Sequence, residues 1–280
     1  MRLRSLLFVP GDRPDRMAKA LGAGADALIL DLEDAVAPAA KPEARRAVAD
    51  FLAANKQARV WVRVNPLDSA ENEKDLAAIL QARPEGIVLP KTEGGASVAE
   101  LARRLSERGN VAARILAIAT ETPAAIFQLG SYGGAKRLAG LTWGAEDLPA
   151  AIGAVTSREE DGRYTPPYEL ARSLCLFGAA AAGVAAIETV YPLFKDLKGL
   201  AAYAARGRRD GFTGMMAVHP DQVPVINDAF TPSEAEIAQA RAIVAAFEAS
   251  PEAGALSLDG RMLDRPHLVQ AQRILAAASD

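Results

Sequence analysis

Eight short apolar segments, each as long as a strand and spaced widely enough for helices between them, constrain this chain most. They are LRSLLFVP (3–10), ALILDLE (27–33), ARVWVRVN (58–65), GIVLPK (86–91), ARILAIAT (113–120), RLAGLTWG (137–144), VAAIETV (184–190) and GFTGMMAVHP (211–220). Their β-branched and large apolar residues run almost continuously instead of alternating with polar ones, which marks strands covered on both faces. Helical patterns fill the intervals at 13–23, 41–55, 70–82, 95–108, 123–131 and 167–182, with a shorter one at 195–206. Strands alternating with helices in this way point to a closed (β/α)8 barrel, the TIM-barrel class of α/β folds. An open doubly wound sheet is the competing reading. Its dinucleotide fingerprint is missing, because GDRPDR and LGAGAD supply glycines but no GxGxxG that opens a helix after a strand.

The last third breaks the alternation. TPSEAEIAQARAIVAAFEAS (231–250) opens with a capping signal at Thr231 or Ser233 and continues with apolar residues at helical spacing. PEAGALSLDGRMLD (251–264) reads as a glycine-containing connector, and RPHLVQAQRILAAA as a closing helix. The expected organisation is a barrel over 1–230 carrying the functional site, with a C-terminal helical extension over 231–280. That extension either caps the barrel or reaches a neighbouring subunit. A length of 280 residues suits one large barrel. With 32 Lys and Arg against 35 Asp and Glu, the formal charge of −3 gives no nucleic-acid footprint. The lone cysteine, Cys175, excludes a disulfide framework or thiolate cluster within one chain and reads as helix packing. No apolar run reaches the length of a membrane span, and Pro10 interrupts the first one too early for a signal peptide, so a cytoplasmic protein without a membrane partner is expected.

Charged residues gather where the strands should end, and in a barrel the carboxyl ends of the strands form the active face. In RILAIATETPAAI the apolar run stops at Glu121, and LTWGAEDLP places Glu146 and Asp147 after the next strand. Glu121 and Asp147 are 26 residues apart, enough for one helix and one strand, so they follow adjacent strands. With no second cysteine and only His219 and His267 as imidazoles, two carboxylates favour a hard cation, and Mg²⁺ fits best. The plainer alternative is that each acid caps the helix after it. Arg63 in VWVRVNP is flanked by apolar residues and needs an anionic partner, either a substrate carboxylate in its bidentate fork or an ion pair with Glu33 or Asp34. Glu33 or Asp34 is expected to stand behind the site, orienting Arg63 or a water on the metal. Basic residues after the glycine turn of FVPGDRPDRMAK, among them Arg13 and Lys19, suit a phosphorylated ligand or a solvated face.

Taken in order, RSLLFVPGDRPDRMAKA, LILDLEDAV, VRVN, VLPKTE, AIATET, LTWGAEDL, GFTGMMAVHPDQV and DGRMLDRPHLVQAQRIL closely resemble the citrate lyase β-subunit-like family, within a larger set that includes malyl-CoA and citramalyl-CoA lyases and pyruvate-dependent aldolases. The resemblance implies a Mg²⁺-dependent barrel enzyme that cleaves or forms carbon–carbon bonds beside a thioester. It implies that Glu121 and Asp147 hold the metal, with Glu121 also facing substrate, and that Arg63 clamps the substrate's carboxylate or keto-acid oxygen. It further implies that Phe8, Arg13 and Lys19 hold the CoA portion. Asp264 in GRMLDRP corresponds to an acid that the C-terminal segment contributes to a neighbouring subunit's site, so a homotrimer is expected. Relatives more often carry Asp where this chain has Glu188, a position expected near the pocket rim.

The implied reaction starts from a 3-hydroxyacyl thioester with a carboxylate beside the hydroxyl-bearing carbon, such as citryl-, citramalyl- or malyl-CoA. Loss of the hydroxyl proton breaks the bond to the thioester α-carbon and leaves a keto acid and a thioester enolate, which is then protonated, with Asp264 moving that proton. Three rivals stay open: a thioesterase or malate-synthase-like activity on the same esters, a CoA-independent pyruvate aldolase, and a subunit that takes an acyl-carrier thioester and depends on citrate lyase α and γ subunits.

Overall fold

The computed structural model describes residues 2–279. Within it eight parallel strands close on themselves in the order β1 to β8. In chain order the barrel runs β1 (Ser5–Pro10), α1 (Pro14–Ala20), β2 (Ala27–Asp31), α2 (Lys41–Ala54), β3 (Val60–Arg63), α3 (Ala70–Ile79), β4 (Gly86–Leu89), α4 (Gly95–Glu107), β5 (Arg114–Ile118) and α5 (Pro123–Phe127). It continues with β6 (Leu138–Thr142), α6 (Asp147–Ile152), α7 (Pro166–Ala182), β7 (Ala185–Glu188), α8 (Leu197–Asp210), β8 (Gly214–Ala217) and α9 (Gln222–Ala229). Pairing of β1 with β8 closes the ring. The (β/α)8 architecture expected from the eight apolar segments is therefore the fold.

The barrel interior is filled by Leu6, Ile29, Trp61, Val88, Leu116, Ile187 and Met216, all buried. Truncating a fully buried aromatic such as Trp61 costs about 3–5 kcal/mol, because the cavity left behind relaxes only partly. Register does the positioning work at the strand ends. Asp31 lies opposite Arg63 across β2 and β3, and Ile118 opposite Thr142 across β5 and β6. Residues just beyond these pairs therefore emerge side by side on one face of the barrel.

Several boundaries differ from the sequence reading. The helix expected over 123–131 is helical only to Phe127, after which Leu129–Tyr132 form a tighter 3-10 turn. This turn packs closely on α7, where a Cβ on Gly178 would meet the Leu129 carbonyl at 2.6 Å. The short helix α9 escaped the pattern because two turns leave too little periodicity to read.

From Asp228 onward the chain forms a second compact unit. It contains α10 (Glu234–Glu248), β9 (Ala255–Leu258), β10 (Arg261–Asp264) and α11 (Arg265–Ser279). Ser233, not Thr231, caps α10: its hydroxyl accepts from the Glu236 N–H while the Glu236 side chain accepts from the Ser233 N–H. The expected connector over 251–264 is in fact an antiparallel hairpin, with Leu258 opposite Arg261. Asp259 and Gly260 both have positive φ, 48° and 75°, which is the two-residue turn that an Asp-Gly pair favours. Ala240, Phe247, Leu263 and Ala271 form this unit's buried seam, and the Arg265 guanidinium lies 5.7 Å from the Phe247 ring centre. No helix among the described residues is long and apolar enough to cross a membrane.

Candidate functional site

A cavity of about 370 Å³ opens at the carboxyl ends of the barrel strands. Phe8 of β1, Asp31 of β2, Arg63 of β3, Glu121 after β5 and Asp147 after β6 all line it. Asp34 and Arg16 reach it as well, whereas Arg13 and Lys19 are not among its lining residues. Arg13 instead makes a loose ion pair with Asp15 at 3.5 Å.

The Asp31–Arg63 register produces a two-pronged ion pair: Arg63 Nε donates to Asp31 Oδ1 at 2.8 Å, and Nη2 to Oδ2 at 2.6 Å. Asp31 also accepts from the N–H groups of Glu33 and Ala35, which fixes the turn after β2. The remaining edge of the guanidinium, at Nη1, lies 3.0 Å from Glu33 Oε2 and 3.5 Å from Asp34 Oδ2. Glu33 Oε2 is buried and has no hydrogen-bond partner despite this close charge. The sequence reading offered Arg63's bidentate fork to a substrate carboxylate. Asp31 occupies the Nε–Nη2 edge, so only Nη1 faces other partners. Arg63 also lies 5.0 Å from the Phe8 ring centre, and its net charge is reinforced by the three acids in spite of burial.

Glu121 ends its apolar run as a buried acid at the cavity. It does not cap α5; Thr122 does, accepting from the Ala125 N–H. The Glu121 side chain is only 4% exposed and accepts from the backbone N–H of Lys91 at 2.6 Å. Lys91 directs that N–H inward because its backbone is left-handed, with φ of 48°. Burial pushes the Glu121 carboxyl up to about 8; the negative charges of Asp147 and Glu33 add to this, and the Lys91 N–H and charge oppose it. Asp147 does not cap the helix after it either, being the first residue of α6 itself.

Lys91 joins these acids. Its ammonium donates to Glu33 Oε1 at 2.9 Å and lies 3.3 Å from Asp147 Oδ1. Burial would lower its proton affinity, but the hydrogen bond to Glu33 and the charges of Glu33, Glu121 and Asp147 raise it overall. Burial likewise raises Glu33, against the pull of Arg63 and Lys91. Lys91 closes the GIVLPK segment, and nothing in that segment gives it a role. Its two contacts depend on a backbone conformation that LPKTE does not announce.

Other singled-out residues lie elsewhere. Glu188 is not at a pocket rim: it is fully buried and held by Arg172, Trp143, Tyr203 and the Thr189 N–H. A charged residue at a strand end looks the same in sequence whether it faces a cavity or the layer between barrel and helices. His219 stacks on Phe194 with ring centres 5.1 Å apart and accepts from the Asp221 N–H. Cys175 is buried in α7, and burial raises its thiol. Asp264 belongs to the C-terminal unit, at the end of β10, where its Oδ1 lies 2.5 Å from His267 Nδ1.

Among the described residues no three His, Cys, Asp or Glu side chains converge as a ready-made metal cage. Glu121 and Asp147 nevertheless fit Mg²⁺, which binds through one or two carboxylates and fills its remaining positions with water and substrate oxygens. Both open on the cavity, and neither carboxylate is consumed by a helix cap.

The model of the HpcH/HpaI aldolase/citrate lyase family matches residues 4–220. A citrate lyase subunit beta-like protein of Mycobacterium tuberculosis is 38% identical over 280 residues, covering 98% of this chain and 95% of the relative. A (3S)-malyl-CoA thioesterase of Cereibacter sphaeroides is 33% identical over 282 residues, covering 98% of this chain and 94% of that protein. The crystal structure of the CitE protein of Mycobacterium tuberculosis, in complex with magnesium, acetoacetate and coenzyme A, is similar with a TM-score of 0.85 and 36% identity, covering 99% of this chain and 98% of that one. With a matching family model over most of its length and relatives aligned almost end to end, this chain belongs to the HpcH/HpaI aldolase/citrate lyase family.

Proposed function

We propose that the protein is a Mg²⁺-dependent carbon–carbon lyase that cleaves, or reversibly forms, a 3-hydroxyacyl thioester such as citryl-, citramalyl- or malyl-CoA. One observation carries this reading: Glu121 and Asp147, two carboxylates free of helix capping, line the same cavity as the Arg63 guanidinium. Mg²⁺ held by those two carboxylates supplies Lewis acidity towards the substrate's hydroxyl and carboxylate oxygens. Arg63, anchored through two bonds by Asp31, has only Nη1, already beside Glu33 and Asp34, to turn towards the oxygen on which charge develops as the carbon–carbon bond breaks. Asp31 therefore acts through Arg63, fixing its plane. Asp264 is assigned the proton transfer at the thioester α-carbon, supplied by the C-terminal unit of a neighbouring subunit in a homotrimer. Phe8 and Arg16 hold the near end of the CoA portion, with Arg13 just before α1 and Lys19 in its last turn.

Coenzyme A and magnesium in the mycobacterial structure support this assignment. The experiment that tests it is a metal-dependent assay against citryl-, malyl- and citramalyl-CoA with every product resolved. A keto acid plus an acyl-CoA supports the lyase.

The thioesterase relative favours a second reading in which water releases the hydroxy acid and free CoA, and the same product analysis separates the two. Relatives named as citrate lyase beta subunits keep a carrier-dependent form in play. Its mark is activity that appears only with an acyl-carrier thioester and the α and γ subunits present.

A further inference from the structure

Beneath the cavity, the exit of β6 is held by contacts that have no part in the chemistry proposed above. Trp143 follows the last residue of β6, is fully buried, and donates its indole N–H to Glu188 Oε1. The same oxygen accepts from the Thr189 N–H at 3.0 Å and the Tyr203 hydroxyl at 3.0 Å, and Oε2 accepts from Arg172 Nε at 2.7 Å. The Trp143 ring meets Tyr164 edge-on with centres 4.9 Å apart. Directly after it comes Gly144, whose backbone lies so close to Glu121 that a Cβ there would stand 2.6 Å from Glu121 Cγ. Gly144 is also tied to β5, donating its N–H to Thr120 Oγ1 at 3.0 Å and accepting from that hydroxyl at 3.2 Å. Asp147 follows three residues later.

We infer that Trp143 and Glu188 are positioning residues: their bond anchors the β6 exit, which presses on Glu121 and sets where Asp147 begins its helix, so that one buried strap holds both carboxylates in register. The inference rests on the reading of Glu121 and Asp147 as metal ligands. It extends that reading to two side chains that are not among the cavity-lining residues. A ligand set on two different strand ends needs the ends fixed relative to each other, and groups behind metal ligands affect affinity by about 10–100-fold.

The test uses Trp143→Phe and Tyr203→Phe in the full-length protein, with Mg²⁺ binding followed by calorimetry and folding by melting temperature. Trp143→Phe keeps an aromatic ring and leaves Glu188 three donors, so the protein folds, yet it cuts the strap. Tyr203→Phe removes another donor to the same oxygen from a helix that carries neither ligand. The expected result is Mg²⁺ binding at least about tenfold weaker in Trp143→Phe, with Tyr203→Phe within about twofold of the parent. Unchanged affinity in Trp143→Phe, or equal losses in both variants, overturns the inference. If the parent protein itself binds no Mg²⁺, the ligand assignment fails and the strap's proposed role falls with it.

Discussion

Glu121 and Glu188 are both glutamates at the carboxyl ends of barrel strands, with relative exposures of 4% and 0%, and the fold treats them in opposite ways. Glu188 receives an indole, a hydroxyl, a backbone N–H and a guanidinium, so its charge is fully accommodated. Glu121 receives one backbone N–H and faces two further acids, and its carboxyl is pushed up to about 8, chiefly by burial. A buried carboxylate surrounded by donors is scaffold. One kept short of donors beside a cavity is poised to take a cation or a proton. Burial alone does not separate the two; the count of donors does.

The comparison breaks most visibly if Glu188 is removed. Glu188→Ala leaves Arg172 buried with only Asp210 and the Phe212 face for company, and should cost about 3–5 kcal/mol in urea denaturation. A loss under 1 kcal/mol would mean the network is not the scaffold it looks to be. Next in size, Asp147→Asn should lower lyase activity and Mg²⁺ affinity by at least about 100-fold (about 2.7 kcal/mol) with an unchanged melting temperature, since it removes a ligand and no packing. Comparable activity at saturating Mg²⁺ would remove Asp147 from the site.

Glu121→Gln sharpens the contrast through pH. The folded carboxyl titrates near 8 and the unfolded one near 4.5, so the folded state holds one more proton between these values. Stability from this group is complete below pH 4.5 and is lost as pH rises towards 8, at a slope on the order of 1 kcal/mol per pH unit. In chelator-treated protein, Glu121→Gln should therefore gain stability relative to the parent from pH 5 to pH 8 while abolishing metal-dependent turnover. Parallel stability profiles for the two proteins would contradict the raised carboxyl. The smallest expected effect belongs to the C-terminal unit. Ser233→Ala removes the α10 cap and should cost about 1 kcal/mol, read by thermal unfolding, without altering Mg²⁺ affinity.

The barrel was legible because continuous apolar runs at regular spacing have few other solutions, and β1 to β8 fall inside the eight segments read from sequence. Glu121, Asp147 and Arg63 stood out because each interrupts or ends such a run, and all three line one cavity. Asp31 is one acid of several in LILDLEDAV, and its pairing with Arg63 follows from a β2–β3 register that no local pattern specifies. The true setting of Glu188 depended on Arg172, 16 residues earlier on a helix whose inward face reads as plain packing. The hairpin of the C-terminal unit was overlooked although SLDGRML carries an Asp-Gly turn between short alternating segments. Its flanking helical patterns dominated the reading.

Lys91 carries a consequence for engineering. A side chain at φ of 48° costs about 1–2 kcal/mol that glycine would not incur, yet the chain keeps an ammonium there, 2.9 Å from Glu33 and 3.3 Å from Asp147. Lys91→Gly would relieve the backbone and keep the N–H that Glu121 accepts, but would strip the ammonium from Glu33 and Asp147. The position therefore trades local backbone ease for the charge that joins Glu33 to Asp147 at the mouth of the barrel.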